Sequence, residues 1–369
     1  MRLLLRFFLF GIVIFALPSV AQVREPLPVP DLPGFKTLKG DFHMHSVFSD
    51  GKVWPTVRVE EAWRDGLDVI CISDHADYHP FSRDVKVDAD RPYAIAKPVA
   101  DKLGIILIPG VEITKRLPHG PAHFTALFVK DANALNVPDL HEALRRARTQ
   151  DAFVFWNHPG WEVPKIEWVP PIAAAYQEKL FQGMELVNGR DFYADAYPFI
   201  GDKQLTILAN SDQHVPQPPR VAAGIRPITL LFARTRDAAG VHEALSARRT
   251  AAWMGDSVWG AEEHLQGLWQ GAVKMETTGL RSRPASHFNV QLRNHSSIPF
   301  RLVTRRSPDW LRFGEGNLPA EGVLNLNPYL TADAPPGTHR FDVEVEILNI
   351  HPGPGRNLIV RLPIVLTIP

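Results

Sequence analysis

Seven apolar runs of strand length follow one another between residues 37 and 214: TLKGDFHMHS, LDVICISDH, GIILIPGVEIT, HFTALFVKD, AFVFWNHPG, GMELVNG and LTILANSDQH. Amphipathic stretches separate several of them, among them PTVRVEEAWRDG, PYAIAKPVADKLG, VPDLHEALRRARTQ and IAAAYQEKLFQ. Strands that are apolar almost throughout, alternating with helices, describe a parallel sheet covered on its faces. Seven such units in a stretch this short predict an α/β fold closed as a distorted (βα)7 barrel, in preference to an open sheet. The barrel is expected over residues 37–255, and a connecting helical segment over 256–279.

The pattern changes near residue 280. In HFNVQLRN and RFDVEVEIL apolar and polar residues alternate one for one, and FRLVT, GVLNLN and LIVRLPIVLTI complete a set of short strands. Period-two strands broken by turns such as APPGTH and HPGPGRN predict a small all-β sandwich over residues 280–369, with one solvated face. At the other end, Arg2 and Arg6, the apolar run from Phe7 to Ala16 and Ser19-Val20-Ala21 have the form of a signal peptide spanning residues 1–21. That run is shorter than the roughly 20 residues a bilayer span requires. The protein is therefore expected to be exported, most simply to the periplasm, with no stable membrane span after cleavage. A Pro-rich tether, residues 22–36, would follow.

Charge and cysteine content exclude several classes. Lys+Arg and Asp+Glu each number 40, so the formal net charge is zero. No long-range basic field is available to hold a nucleic acid polymer. The single cysteine, Cys71, sits within DVICISDH and reads as a small buried hydrophobe, so no internal disulfide is possible. No nucleophile elbow, phosphate-binding loop or dinucleotide fingerprint is present.

What the runs carry at their ends is more specific. The first ends in His43 and His45 with Asp50 beyond it, and the second in Asp74-His75. The third contains Glu112 and the fourth opens at His123. The fifth ends in Asn157-His158 and the seventh in Asp212 and His214. In a parallel barrel such ends gather on one face, where sites are built. His43 and His45 lie two apart on an extended segment, so both point to one side and can share an ion. Neutral imidazoles mixed with carboxylates suit zinc, manganese or iron, and a carboxylate can bridge two ions. Asp41 and Asp74 are placed to orient imidazoles. His79 and Asp77 are candidates for a substrate or proton role, Glu185 reads as structural, and Lys115, Arg116 and Arg190 are placed to contact phosphate oxygens. His119 competes with His123, which directly precedes the apolar FTALF and is preferred.

Together these residues resemble the PHP (polymerase and histidinol phosphatase) metallophosphoesterases. DFHMHSVFSDG, ISDH, WNHPG and SDQH look like the four motifs, with GVEIT and the histidine of AHFTALF between them; the resemblance spans roughly residues 38–255. It implies a seven-stranded barrel, two or three divalent ions, and the ligands His43, His45, Asp50, His75, Glu112, His123, His158, Asp212 and His214. Glu112 would bridge two ions, one also held by His43, His45 and Asp212, the other by His123 and His158. Asp50, His75 and His214 would hold a third. A hydroxide bridging the ions held by Glu112, Asp212, His43 and His45 would attack phosphorus, with Lys115, Arg116, Arg190 and His79 as candidate substrate contacts. The leader, the stretch RRTAAWMGDSVWGAEEHL and the C-terminal β region are similar to exported PHP-type phosphodiesterases, one of which acts on organophosphate diesters. The expected partner is therefore a small phosphodiester.

Two other enzyme readings use similar residues. A phosphomonoesterase would add a cationic clamp to the same site. An amidohydrolase also begins with His-x-His, and Lys130 offers it a lysine. That fold, however, needs eight strands, and here the sixth run ends in Asn188-Gly189. A binding module centred on the sandwich would use aromatics such as Trp310 and Tyr329, but these show no repeated ligand pattern.

Overall fold

The computed structural model describes residues 23–163, 165–220, 224 and 226–369. The leader expected over residues 1–21 lies outside the described residues. Among the described residues no helix is long and apolar enough to cross a membrane.

The first region is mixed α/β. Strands β1 (Lys36–Asp41), β2 (Val69–Cys71) and β3 (Ile106–Ile108) pair in parallel, with helix α1 (Pro55–Arg64) and helix α2 (Arg91–Leu103) in the crossovers. The third apolar run is split by Pro109. Proline has no N–H for a ladder, and the chain turns there from β3 into β4 (Gly110–Leu117). β4 forms an antiparallel hairpin with β5 (Gly120–Leu127), and β5 pairs antiparallel with β6 (Phe153–Trp156). Beyond the short helix α3 (Leu140–Thr149) and helix α4 (Pro170–Gln177), the direction returns to parallel: β6 pairs with β7 (Gly183–Asn188), and β7 with β9 (Thr206–Asn210). A two-residue β8 (Asp191–Phe192) folds back on β7.

Two departures from the expected barrel follow. First, the strands are not uniformly parallel, because short connections such as that between Leu117 and Gly120 leave no room for a crossover helix. Second, the ladder is divided into a seven-stranded and a six-stranded sheet and is not one continuous ring. At one junction side chains stand in for backbone pairing: Thr229 Oγ1 accepts from Ala209 N–H at 2.9 Å, and Thr250 Oγ1 donates to Ile207 O at 2.8 Å. The seven-stranded sheet also recruits β10 (Ile228–Ala233), β11 (Thr250–Met254) and β12 (Ser257–Gly260), so it extends past residue 255. β10, antiparallel to β1 and buried along its whole length, belongs to none of the seven runs read from the sequence.

The C-terminal region is sheet-rich, as its alternation predicts. Leu358–Ile368 buries every second residue and pairs along its length with Gly337–Ile347 inside a five-stranded sheet. A three-stranded sheet built on Val290–Asn294 stands apart from it in the ladder.

The two regions share their interior. One apolar cluster runs from Val59, Ile70 and Trp253 through Leu265, Leu268 and Trp269 to Phe300, Ile347 and Val360. Trp269, on helix Glu262–Ala272, meets Phe300 edge-on at 5.1 Å, and Ile350–His351 adds a strand to β12. The Pro-rich segment is not a free tether: Leu27 and Leu32 are buried, Glu25 N–H donates to Arg64 O, and Ser297 N–H donates to Pro28 O. Each large side chain stripped of its cover forfeits about 1.5–3 kcal/mol. A chain ending at residue 279 is accordingly expected to be insoluble or molten, checked by soluble yield and near-ultraviolet circular dichroism. A fully folded truncated protein would contradict the shared core.

Candidate metal centre

All nine ligand positions named from the motifs converge on one cluster, buried except on the side of Asp50, Asp212 and His214. Its hub is Glu112, fully buried near the start of β4. Glu112 Oε1 lies 2.9 Å from His123 Nδ1 and 3.5 Å from His158 Nε2. Its Oε2 lies 3.1 Å from His43 Nε2 and 3.3 Å from both His45 Nε2 and His75 Nδ1. Asp212 faces it, with Oδ1 3.2 Å from His43 Nε2 and 3.0 Å from His45 Nε2. On the outer flank Asp50 stands 3.3 Å from His214 and 3.7 Å from His75. Four groups have ligand atoms mutually within 4.8 Å: His43, His45 and Asp212; His43, Glu112 and His158; His75, Glu112 and His123; and His45, Asp50, His75 and His214.

This arrangement fits divalent ions. Asp212 Oδ1 is buried without a hydrogen-bond partner, although imidazole nitrogens surround it. An oxygen acceptor packed among nitrogen lone pairs is satisfied by a cation or by protons, and by little else. The charges point the same way. Burial opposes protonation of His43, yet Asp212, Glu112 and Glu185 outweigh it and push its pKa well above the ordinary value. The same contest, with Asp212 and Glu112 prevailing, lifts His45 to about 10. Burial tends to raise Glu112, Asp212 and Asp50, but the neighbouring imidazoles hold all three well below the usual carboxylate range. So negative a pocket attracts positive charge.

The backbone is shaped for the site. His158 and Asp212 both adopt left-handed φ, at +24° and +50°, a conformation costing about 1–3 kcal/mol in a residue with a Cβ. Each is held by a hydrogen bond: His158 N–H donates to Glu185 Oε2 at 2.7 Å, and Asp212 N–H to His43 O at 2.8 Å. Gly51 serves a different need. A Cβ there would stand 2.4 Å from the His45 carbonyl, so only glycine lets the loop carrying Asp50 fold back onto His45.

Several assignments change once the supporting residues are visible. Glu185 accepts from His43 Nδ1 at 3.0 Å and from the side-chain amides of Asn188 and Asn210 at 2.9 Å each. It thereby fixes the orientation of the His43 ring and directs Nε2 toward the cluster. Asn157 donates to Glu112 Oε1 at 2.8 Å. Asp41 and Asp74, expected to orient imidazoles, touch none. Asp41 accepts from Arg226 at 2.6 Å and from Ser211 N–H; Asp74 is taken up by Ser46 and Ser49. Both brace the ligand loops. His79 faces the carbonyls of Phe48 and Ala76 with its two nitrogens, which leaves neither for substrate. Lys115 is held by Asp77 at 2.5 Å and exposed Arg116 leans to Glu162, while Arg190 lines a separate cavity. His119 lies away from the cluster and lines another cavity beside Trp156.

The sequence reading missed Arg58. Its buried guanidinium donates to His45 O, Gln213 O and Val215 O at 2.8–2.9 Å and to Glu61 at 2.7 Å. It therefore ties the first ligand loop to the last. The available signal was Arg58 and Glu61 falling on the same helical face as Val59 and Ala62.

A cavity of about 270 Å3 opens over the cluster, walled by Trp161, Asn188, Asp191 and Tyr193 in addition to the ligands.

No family model matches the chain, and no curated protein matches it. A solved structure does. It is a two-domain protein from Bacteroides vulgatus, described as containing a predicted PHP-like metal-dependent phosphoesterase. The two are 37% identical with a TM-score of 0.85, over 93% of this chain and 100% of that one. The chain belongs to the PHP-like metal-dependent phosphoesterases. Two more distant matches are each 15% identical. A candidate metal-dependent phosphoesterase from Bifidobacterium adolescentis covers 57% of this chain and 96% of its own, with a TM-score of 0.41. A lesion-specific endonuclease from Pyrococcus furiosus covers 62% and 60%, with a TM-score of 0.42. The resemblance read from the motifs is thus matched by a PHP-like relative that spans both regions of the chain.

Proposed function

We propose that this PHP-like protein is a metal-dependent phosphodiesterase, hydrolysing small organic phosphodiesters to a monoester and an alcohol. Family membership and the nine-residue donor set support metal-dependent phosphoester hydrolysis. The observation that favours a diester is the pairing of the half-buried cation beside the cluster. A monoester dianion calls for a cationic clamp, but Lys115 is paired with Asp77 at 2.5 Å. A diester carries a single negative charge and needs less compensation.

Divalent ions, when bound here, would lower the pKa of a water and neutralise charge on the phosphoryl group. Glu185 would keep His43 Nε2 turned inward, and Asn157 would hold Glu112 between its imidazoles. Tyr193, its pKa raised by burial and by Glu185, remains a neutral O–H donor in the cavity wall. Zinc, manganese and iron are the ions suited to this donor set. Export to the periplasm, read from residues 1–21, belongs to the same proposal.

The test is chelation followed by reloading with each ion, with kcat/KM measured on bis(4-nitrophenyl) phosphate and 4-nitrophenyl phosphate. The expected result is loss of turnover on chelation, recovery on reloading, and a diester preference of about tenfold or more. A preference for the monoester would replace this reading with the phosphomonoesterase one. Turnover that survives complete chelation would remove the ions from the reaction.

A further inference from the structure

Next to the cavity over the ligands lies a second cleft of about 320 Å3. The two share Asp50, His75, His123 and Trp161, so the second opens directly off the first. Two aromatic rings stand in its walls. Trp161 meets His123 and His158 edge-on at 5.2 and 5.5 Å, and Tyr78 meets His75 edge-on at 5.9 Å. Both remain in solvent, Trp161 at 44% and Tyr78 at 52% exposure. An isolated exposed aromatic needs no explanation. Two converging on one cleft, each against a different ligand imidazole, are a recognition surface in waiting.

The remainder of the cleft sets the chemistry of its occupant. Thr114, Lys115, Arg116, Pro121 and Glu162 line it. The half-buried Lys115 ammonium is paired with Asp77 at 2.5 Å, while Arg116 stays in solvent 3.7 Å from Glu162. Among the described residues the inner wall of the cleft thus offers no unpaired cation to a second acidic group. The volume is about twice the ~150 Å3 cavity that holds a benzene ring. A flat, neutral ring packed against Trp161 or Tyr78 gains offset or edge-to-face contacts that a saturated ring of equal size does not.

We propose that this cleft binds an aromatic ester substituent, so that the preferred substrates are phosphodiesters of aryl or arylmethyl alcohols, with Trp161 and Tyr78 as specificity-determining residues. This rests on the phosphoesterase reading of the adjoining cluster.

The experiment uses the full chain, reloaded with metal, and substrates matched in leaving-group chemistry: dibenzyl phosphate and bis(cyclohexylmethyl) phosphate. The expected kcat/KM ratio is about tenfold in favour of benzyl, the size of one good aromatic contact. Trp161→Ala should bring that ratio close to one and Trp161→Phe should keep it. Calorimetric binding of benzylphosphonate and cyclohexylmethylphosphonate provides the readout that needs no turnover, and the same preference and its loss in Trp161→Ala are expected. Equal affinity for the two phosphonates in the unsubstituted protein would overturn the proposal. So would a benzyl preference that survives both Trp161→Ala and Tyr78→Ala. If neither diester is hydrolysed but the phosphonates still discriminate through Trp161, the diester reading fails and the aromatic cleft stands.

Discussion

Replacing Glu112 by glutamine is expected to lower kcat/KM by on the order of 10^3-fold and to reduce bound metal, leaving the fold intact. The two side chains are nearly the same size, so packing changes little. The electrostatics change completely. The Glu112 carboxylate faces His43, His45, His75, His123 and His158 within 3.5 Å and accepts from Asn157. An amide removes the negative charge and replaces one carboxylate oxygen with an N–H2 group that cannot ligate a cation. His43 cannot turn to compensate, because Glu185 holds its Nδ1. Elemental analysis of the purified variant and steady-state rates on a nitrophenyl diester check the prediction. Full metal content with undiminished turnover would remove Glu112 from the hub position.

Glu112 also shows how far the sequence could be read. Its residue type and its place in an apolar run marked it as a ligand. Pro109 was the local signal that this run would break, and the chain restarts there as a hairpin, so Glu112 sits near the beginning of β4 and not at the end of a barrel strand. The ligands were legible because charged and imidazole groups cluster at or just beyond the ends of apolar runs, in motifs that resemble those of the PHP metallophosphoesterases. The supporting shell was not. Glu185, Asn157 and Asn210 act through partners 25 to 142 residues away, and no short-range spacing encodes such contacts. β10 was missed because ITLLFA is buried on both faces and ends in no ligand. The C-terminal strands were found because one solvated face gave them a strict period of two. Their fusion with the first region through Leu265, Leu268 and Trp269 was hidden, since an amphipathic helix does not announce which neighbour its apolar face meets.

Substituting Arg58 by methionine is expected to cost about 3–5 kcal/mol of stability and to lower Tm by roughly 5–10 °C. Methionine fills much the same volume, so the effect is polar. Arg58 is fully buried, and burial depresses its pKa although Glu61 opposes this. Its loss leaves Glu61 without its cationic partner and the carbonyls of His45, Gln213 and Val215 without these donors. Two of those carbonyls belong to the ligand loops themselves, and the Met44–Gln213 bridge lies between the same segments. Weakening this tie should therefore also reduce metal retention, through Asp212 and His214 drifting from His45. Urea denaturation of the metal-loaded and chelated protein separates the two effects. The double substitution Arg58→Met with Glu61→Leu should recover part of the loss, because it removes the uncompensated carboxylate together with the guanidinium. If Arg58→Met melts within about 1 °C of the unsubstituted protein, the buried guanidinium is not what joins the first ligand loop to the last.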